Sequence, residues 1–163
     1  MRNDLMWPFP HETVSEEVIA IFEESIGVKF PKDYISCAIV NHGSAVLPYV
    51  FEVGGIKRVF GTLLSYDKQS NDSIEKVYND YKNTLPKQLI PFAFDPAGNL
   101  ICFDYKDHEK DPIVVFWEHE NAGDKDILIR EEGLTAEQVE KRVREHVFYV
   151  AGTFSEFLDK LHD

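Results

Sequence analysis

Cysteine is scarce in this sequence, with only Cys37 and Cys102 among 163 residues. Both lie in apolar stretches and far apart along the chain. We therefore expect two buried free thiols in a reducing compartment, with a single disulfide between them as the alternative. A chain of this length can bury the core of one domain without disulfide or metal support.

Long apolar runs are also missing. The longest are strand-sized, such as Ile113–Trp117, and fall well short of the ~20 residues that span a bilayer. The opening segment Met1–Pro8 has no uninterrupted apolar run after its single Arg, which is unlike a secretory signal. These two absences predict a cytoplasmic protein that does not associate with membranes.

The common catalytic motifs are absent as well. There is no Gly-x-Ser-x-Gly elbow, and Gly54-Gly55 lacks the Lys and Ser/Thr of a phosphate-binding loop. The most enzyme-like feature is Asp104, His108 and His119, which could hold a metal or share protons if their strand ends were adjacent. Their spacing fits no metal-ligand pattern. We therefore expect solvated loop charge here, with no catalytic residue, no cofactor and no metal.

Positive charge is in short supply: 17 Lys and Arg face 29 Asp and Glu, for a net charge of −12. The excess is greatest at 95–132, where eleven acidic and four basic residues give −7. Such a surface repels nucleic acids and anionic membranes and attracts basic proteins. The alternative interpretation is that the charge only keeps the protein soluble.

Two helices are predicted at the start of the chain. Thr13 and Glu16 have the spacing of a capping box, and Gly27 supplies a left-handed end to the first helix. Pro31 suits the first turn of the second helix, and His42 ends it, where a cationic side chain would suit the helix dipole. The predicted inward face of the first helix is Val14, Val18, Ile21, Phe22 and Ile26.

The remaining pattern is mainly one of strands. Strand patterns occupy 47–64, 85–94, 100–105 and 113–118, with a type I turn at 95–99 and a further short segment of the meander at 127–130. Helical patterns cover 71–83 and 135–146, a last strand 147–151, and a closing helix 154–161, capped by Thr153 or Ser155. This order predicts a single α+β domain, mainly an antiparallel sheet with helices packed on one face.

Several blocks of the sequence resemble the SUKH superfamily, which includes yeast cell-wall-synthesis regulators and bacterial immunity proteins. They are Phe22–Tyr34 with Asn41–Gly43; then Leu89–Ala93, Asp95, Gly98-Asn99, Ile101–Asp104 and Val114–Glu120; and finally Ala151–Leu158. The resemblance implies an α+β fold and a role in neutralising toxins, and it carries no catalytic residues. Residues 1–12 form a leader before the resemblance. Residues 131–149 are longer and more helical than the family needs, so they are an insertion that tunes partner choice or is neutral.

The resemblance and the charge together suggest a partner. A nuclease toxin, of the secreted or contact-delivered (polymorphic) kind, must be basic to bind a phosphate backbone, and an acidic inhibitor would cover its active site. The first hypothesis is therefore an immunity protein; the alternatives are a regulatory or scaffold binding module and a metal-assisted enzyme using Asp104, His108 and His119. Charge alone places the partner-binding residues on the acidic loops: Asp104, Asp107, Asp111, Glu118, Glu120, Asp124 and Asp126.

Overall fold

The computed structural model of the protein describes residues 2–119 and 125–163. The helices in these ranges are α1 (Glu16–Ile26), α2 (Lys32–Asn41), α3 (Ile74–Tyr81), α4 (Lys125–Glu132), α5 (Ala136–Arg144) and α6 (Phe154–Asp159). The strands are β1 (Val50–Val53), β2 (Ile56–Val59), β3 (Thr62–Leu63), β4 (Leu89–Phe94), β5 (Leu100–Asp104), β6 (Ile113–Trp117) and β7 (Val147–Ala151).

Strands β3 to β7 form one antiparallel sheet in chain order, and β1 and β2 form a separate hairpin. Each strand of the sheet therefore pairs with its neighbour in sequence, as in a meander. The predicted α+β class is confirmed. No helix in the described ranges is long and apolar enough to cross a membrane.

The main core lies between one face of the sheet and helices α1, α2 and α6. Phe92 and Phe103 stack at 4.4 Å between ring centroids, and Tyr34 and Phe154 meet both rings edge-on or tilted. Aromatic pairs of this kind add about 1 kcal/mol each beyond the area that they bury. A smaller cluster around Trp117 covers the opposite face. The central strands β4, β5 and β6 are therefore buried on both faces.

Helix α1 differs from its prediction in its start and its buried face. It begins after Ser15, and no side chain caps it, so the Thr13 capping box is wrong. Its buried residues are Ile19, Phe22 and Glu23, whereas Ile21 is exposed. The carboxylate of Glu23 accepts the Phe30 N–H at 2.5 Å. A buried acid with a hydrogen-bond donor therefore lies on the inward face of α1, where the apolar pattern had placed Ile21. Gly27 ends the helix at φ 73°, as predicted.

The connection between β6 and β7 contains a pair of helices. Residues 127–130, predicted as part of the meander, lie in helix α4. The alternation that suggested a strand is misleading, because Leu128 is the buried residue and packs against Val139 and Val143 of α5. Thr135 opens α5 with a complete capping box, and β7 lies where it was predicted. Whether residues 131–149 are an insertion peculiar to this chain stays a prediction.

The closing helix and the thiols agree with expectation. Thr153 caps α6 by accepting the Glu156 N–H. Cys37 and Cys102 are buried and free, so the free-thiol interpretation is confirmed. Burial raises the pKa of the Cys37 thiol to about 11. Neither sulfur is placed for nucleophilic chemistry, since a thiol held protonated is a weak nucleophile.

Candidate functional site

The acidic segments predicted to bind a partner lie at two ends of the sheet. Asp104 is opposite Ile113 in the β5–β6 ladder, and Leu100 is opposite Trp117. The loop that carries Asp107 and Asp111 is therefore at one end of β6, and Glu118 is at the other. A strand of five residues spans roughly 15 Å. The predicted acidic surface is thus two separate patches.

Asp104 is in the interior. Its side chain is 8% exposed and forms a double ion pair with Arg144 of α5, at 2.6 Å to Nη1 and 3.2 Å to Nη2. It also accepts the Lys106 N–H, and Arg144 donates to the Lys87 carbonyl at 2.7 Å. The Asp104 carboxylate therefore holds α5 against the sheet. It is too buried and too fully hydrogen-bonded to contact a second protein.

The remaining predicted residues have mixed surroundings. Asp107 and Asp111 are exposed on the β5–β6 loop. Glu118 is half-buried, with one carboxylate oxygen 3.8 Å from Arg58. Asp126 is exposed in the first turn of α4. Glu120 and Asp124 lie outside the described residues.

The metal-assisted alternative does not assemble in the described part of the chain. His108 is exposed on the β5–β6 loop, at the opposite end of β6 from His119. His119 is within hydrogen-bonding distance of the Ala97 carbonyl, at 2.8 Å from its Nε2. No group of three or more His, Cys, Asp or Glu in residues 2–119 and 125–163 could hold a metal ion.

His119 instead belongs to a hydrogen-bonded turn that shapes the β6 end. Asp95, which is 4% exposed, accepts the N–H groups of Ala97 and Asn99 and the side-chain amide of Asn99. Asn99 in turn accepts the His119 N–H through Oδ1 at 3.0 Å. The predicted type I turn is present, with Gly98 N–H donating to the Asp95 carbonyl. This network fixes the chain immediately after Glu118.

A second polar cluster was missed by the sequence analysis. His42 is 1% exposed, and its Nδ1 accepts the Tyr66 N–H at 3.0 Å. The ring proton must therefore be on Nε2, which donates to the Glu12 carbonyl at 2.7 Å. Ser65 Oγ accepts the Asp67 N–H and lies 2.7 Å from Nδ1 of His11. The prediction that His42 serves the helix dipole as a cation is wrong, because a buried ring that accepts a backbone N–H has to be neutral.

The cluster ties the N-terminal segment to the end of α2. His11 N–H donates to the His42 carbonyl at 2.9 Å, and the two rings meet edge-on at 5.7 Å. Gly43, at φ 82°, leaves room for the His11 ring, which a Cβ there would meet at 2.4 Å. Only the motif Asn41–Gly43 hinted at this site, and it gave no sign of the serine 22 positions after Gly43.

We expect this cluster to make stability depend on pH. Burial lowers the pKa of His42, and the hydrogen bond to Glu12 offsets this only partly. The unfolded chain therefore binds more protons near the ordinary histidine pKa, so stability falls as pH drops through about 6.5. Denaturant unfolding between about pH 7.5 and 5.5 should show this loss.

A substitution at His162 tests this assignment. His162, whose pKa is raised by hydrogen bonds to Asp163 and Glu52, acts in the opposite sense, so His162→Gln should steepen the loss at low pH. A flat pH profile in the His162→Gln variant would show that His42 is not the sensitive group.

Comparisons with known proteins identify the family of the chain. The fold defines a small α+β domain built on an antiparallel sheet. The chain belongs to the SMI1/KNR4 family (SUKH-1), which matches residues 13–160. The chain is also similar to the SPbeta prophage-derived uncharacterized protein YokK of Bacillus subtilis (strain 168), at 35% identity over 60 residues. That similarity covers 36% of this chain and 29% of the relative.

Proposed function

We propose that this protein is a non-catalytic immunity protein of the cytoplasm, which neutralises a cognate toxin by binding it directly. Its family is one of immunity and regulatory proteins, and it matches nearly the whole chain. The prophage origin named for the similar Bacillus protein fits a gene carried with a toxin. A nuclease is the favoured class of toxin, because its basic surface complements a chain of net charge −12.

The single observation that supports the proposed binding surface is the acidic charge of residues 118–126, here called the β6–α4 end. Residues 118–126 contain Glu118, Glu120, Asp124 and Asp126 against one cation, Lys125. The ammonium of Lys125 is engaged with Glu140 of α5 at 2.5 Å, so it does little to offset this charge for a partner, whereas Arg58, 3.8 Å from Glu118, offsets part of the charge of that residue. The β5–β6 loop is a second patch, where the exposed acids Asp107, Glu109 and Asp111 are largely offset by two lysines, Lys106 and Lys110.

This division of the surface predicts unequal effects of charge reversal. The double substitution Glu118→Lys and Asp126→Lys should weaken binding of the cognate toxin by at least about tenfold and reduce the salt dependence of its Kd. The pair Asp107→Lys and Asp111→Lys should have a smaller effect on both quantities. Calorimetric titrations of the purified toxin domain at two salt concentrations measure them.

A matched control uses acidic residues elsewhere on the surface. Glu24 and Asp80 are exposed on α1 and α3, and Glu24→Lys with Asp80→Lys makes the same change in net charge. The toxin is identified by pull-down from the native host, salt elution and mass spectrometry. Recovery of several unrelated proteins, with no toxin whose growth inhibition the protein relieves, would replace the immunity function with that of a regulatory binding module.

A further inference from the structure

A half-open cleft lies between helix α5 and the end of the sheet where β4 begins and β5 ends. Its volume is about 570 Å³, within the range of small-ligand sites. Its lining residues are Lys87, Gln88, Lys106, Glu137, Gln138, Glu140, Lys141 and Arg144. Four cations against two carboxylates give this cleft a positive charge, although the chain as a whole is strongly acidic.

Ion pairs among the described residues engage only one of these four cations, so three remain to bind a ligand. Arg144 is bound to Asp104, and Glu140 is bound to Lys125, so these four charges largely cancel. Lys87, Lys106 and Lys141 are exposed and form no ion pair with any described residue. Glu137 is then the only lining carboxylate without an ion pair in the described ranges. The cleft thus presents about two net positive charges.

The backbone around the cleft has a fixed conformation. Lys106 and the acidic residues of the β5–β6 loop therefore line different hollows. Gln88 has φ 71° and Asp107 has φ 61°, left-handed values that cost a residue with a Cβ about 1 kcal/mol or more. The Lys87 backbone is held on both sides, by Glu140 at its N–H and by Arg144 at its carbonyl. At Asp107 the chain turns, so that Lys106 lines the cleft while residues 107–111 line a different hollow.

We propose that this cleft binds a compact anion that carries two or more negative charges, such as a phosphate ester or a small polycarboxylate. Three lysines around a cavity of this size match the charge and volume of such a ligand. A polynucleotide fits the observations less well. Its backbone needs a long row of cations, and strands leaving the cleft would meet Glu137 and the carboxylates of the β5–β6 loop.

An anion in the cleft would cross-link α5 to the sheet. The α4–α5 pair has its own small core around Leu128, Val139 and Val143. Besides the Arg144 and Glu140 contacts, Lys125 N–H donates to the Asn83 carbonyl at 3.4 Å. A ligand touching both Lys141 and Lys106 adds one more bridge of the same kind. Binding should therefore protect α5 from hydrogen exchange.

Titration of the full chain with sodium pyrophosphate and, separately, with citrate tests the site. Ionic strength is held constant with sodium chloride, and binding is followed by amide NMR shifts and by hydrogen exchange. We expect saturable shifts at 87–88, 106 and 137–144, with slower exchange in α5. Response to both anions or to only one supports the site and identifies its preferred chemistry. No saturable response to either would overturn the proposal.

A pair of triple variants provides the control. Changing Lys87, Lys106 and Lys141 to Gln should raise the Kd of the bound anion by at least about tenfold. Changing Lys57, Lys76 and Lys82 to Gln removes the same charge from exposed positions elsewhere and should leave the Kd within about twofold. An equal increase in the Kd in both variants would show that the anion responds only to the net charge of the protein. That result would overturn the proposed site. Toxin binding is measured on the same variants, so that failure here is distinguished from failure of the proposed function.

Discussion

Replacing Arg144 with Met is expected to lower the free energy of unfolding by about 3 kcal/mol. The substitution leaves the Asp104 carboxylate, which is 8% exposed, without its cation. Removing one partner of a buried ion pair is costly because the remaining charge stays desolvated, and typical losses are about 3–5 kcal/mol. The lower value applies because the Arg144 side chain is 19% exposed. Denaturant-induced unfolding measures the change.

The same substitution should loosen the α4–α5 pair from the sheet. Arg144 also donates to the Lys87 carbonyl, so its loss removes two of the contacts that hold α5 in place. We expect faster hydrogen exchange at 125–146 than at the central strands β4 and β5. Arg142 is the matched control, since it is exposed and its ion pair with Glu132 is on the surface. Arg142→Met should change stability by less than about 1 kcal/mol.

A double substitution distinguishes the effect of the Asp104–Arg144 ion pair from that of side-chain packing. Asp104→Asn together with Arg144→Met removes both charges and should recover part of the stability lost in Arg144→Met, because no buried charge remains unpaired. If the double variant were less stable than the single one, the unpaired charge of Asp104 would not be the main cost of Arg144→Met. In that case, Arg144→Lys, which restores a positive charge, would be no more stable than Arg144→Met.

The local parts of the fold were predictable from sequence because their signals are local. The turn at 95–99 follows from Asp95, Pro96 and Gly98, and the end of α1 follows from Gly27. The β5 and β6 strands are continuous apolar runs buried on both faces. Such runs are read reliably as strands when turn residues bound them. The family resemblance implied the same α+β class.

The errors occurred where a contact between distant parts of the chain decided the outcome. Asp104 seemed a surface acid until α5 brought Arg144 to it, 40 positions later. Residues 127–130 alternate like a strand, yet they pack as a helix on α5. Grouping these acids by charge alone overlooked that the predicted strand at 113–118 separates Glu118 from the β5–β6 loop.

Replacing Asp95 with Ala is expected to cost about 3 kcal/mol and to disturb the β6–α4 end. The carboxylate accepts three hydrogen bonds, from the N–H groups of Ala97 and Asn99 and from the Asn99 amide. A hydrogen bond to a charged group contributes about 1.5–3 kcal/mol, and bonds that share one carboxylate are not additive, so the expected loss is well below the sum of three. Asn99 and Asp95 are both 4% exposed, so water cannot readily replace the lost acceptor. Thermal and denaturant unfolding measure the loss.

Asn99 links the turn at Asp95 to the proposed binding surface near Glu118. Its Oδ1 accepts the His119 N–H, and its orientation depends on the carboxylate of Asp95. We therefore expect Asp95→Ala to move the amide resonance of His119 and to weaken toxin binding through Glu118, even below the temperature at which the variant unfolds. Asp95→Asn keeps an acceptor at Oδ1 and should show smaller changes in both quantities, while Pro96→Ala, at an exposed turn position, should show neither. Normal toxin affinity in a folded Asp95→Ala protein would show that the turn supports the fold and not the binding surface.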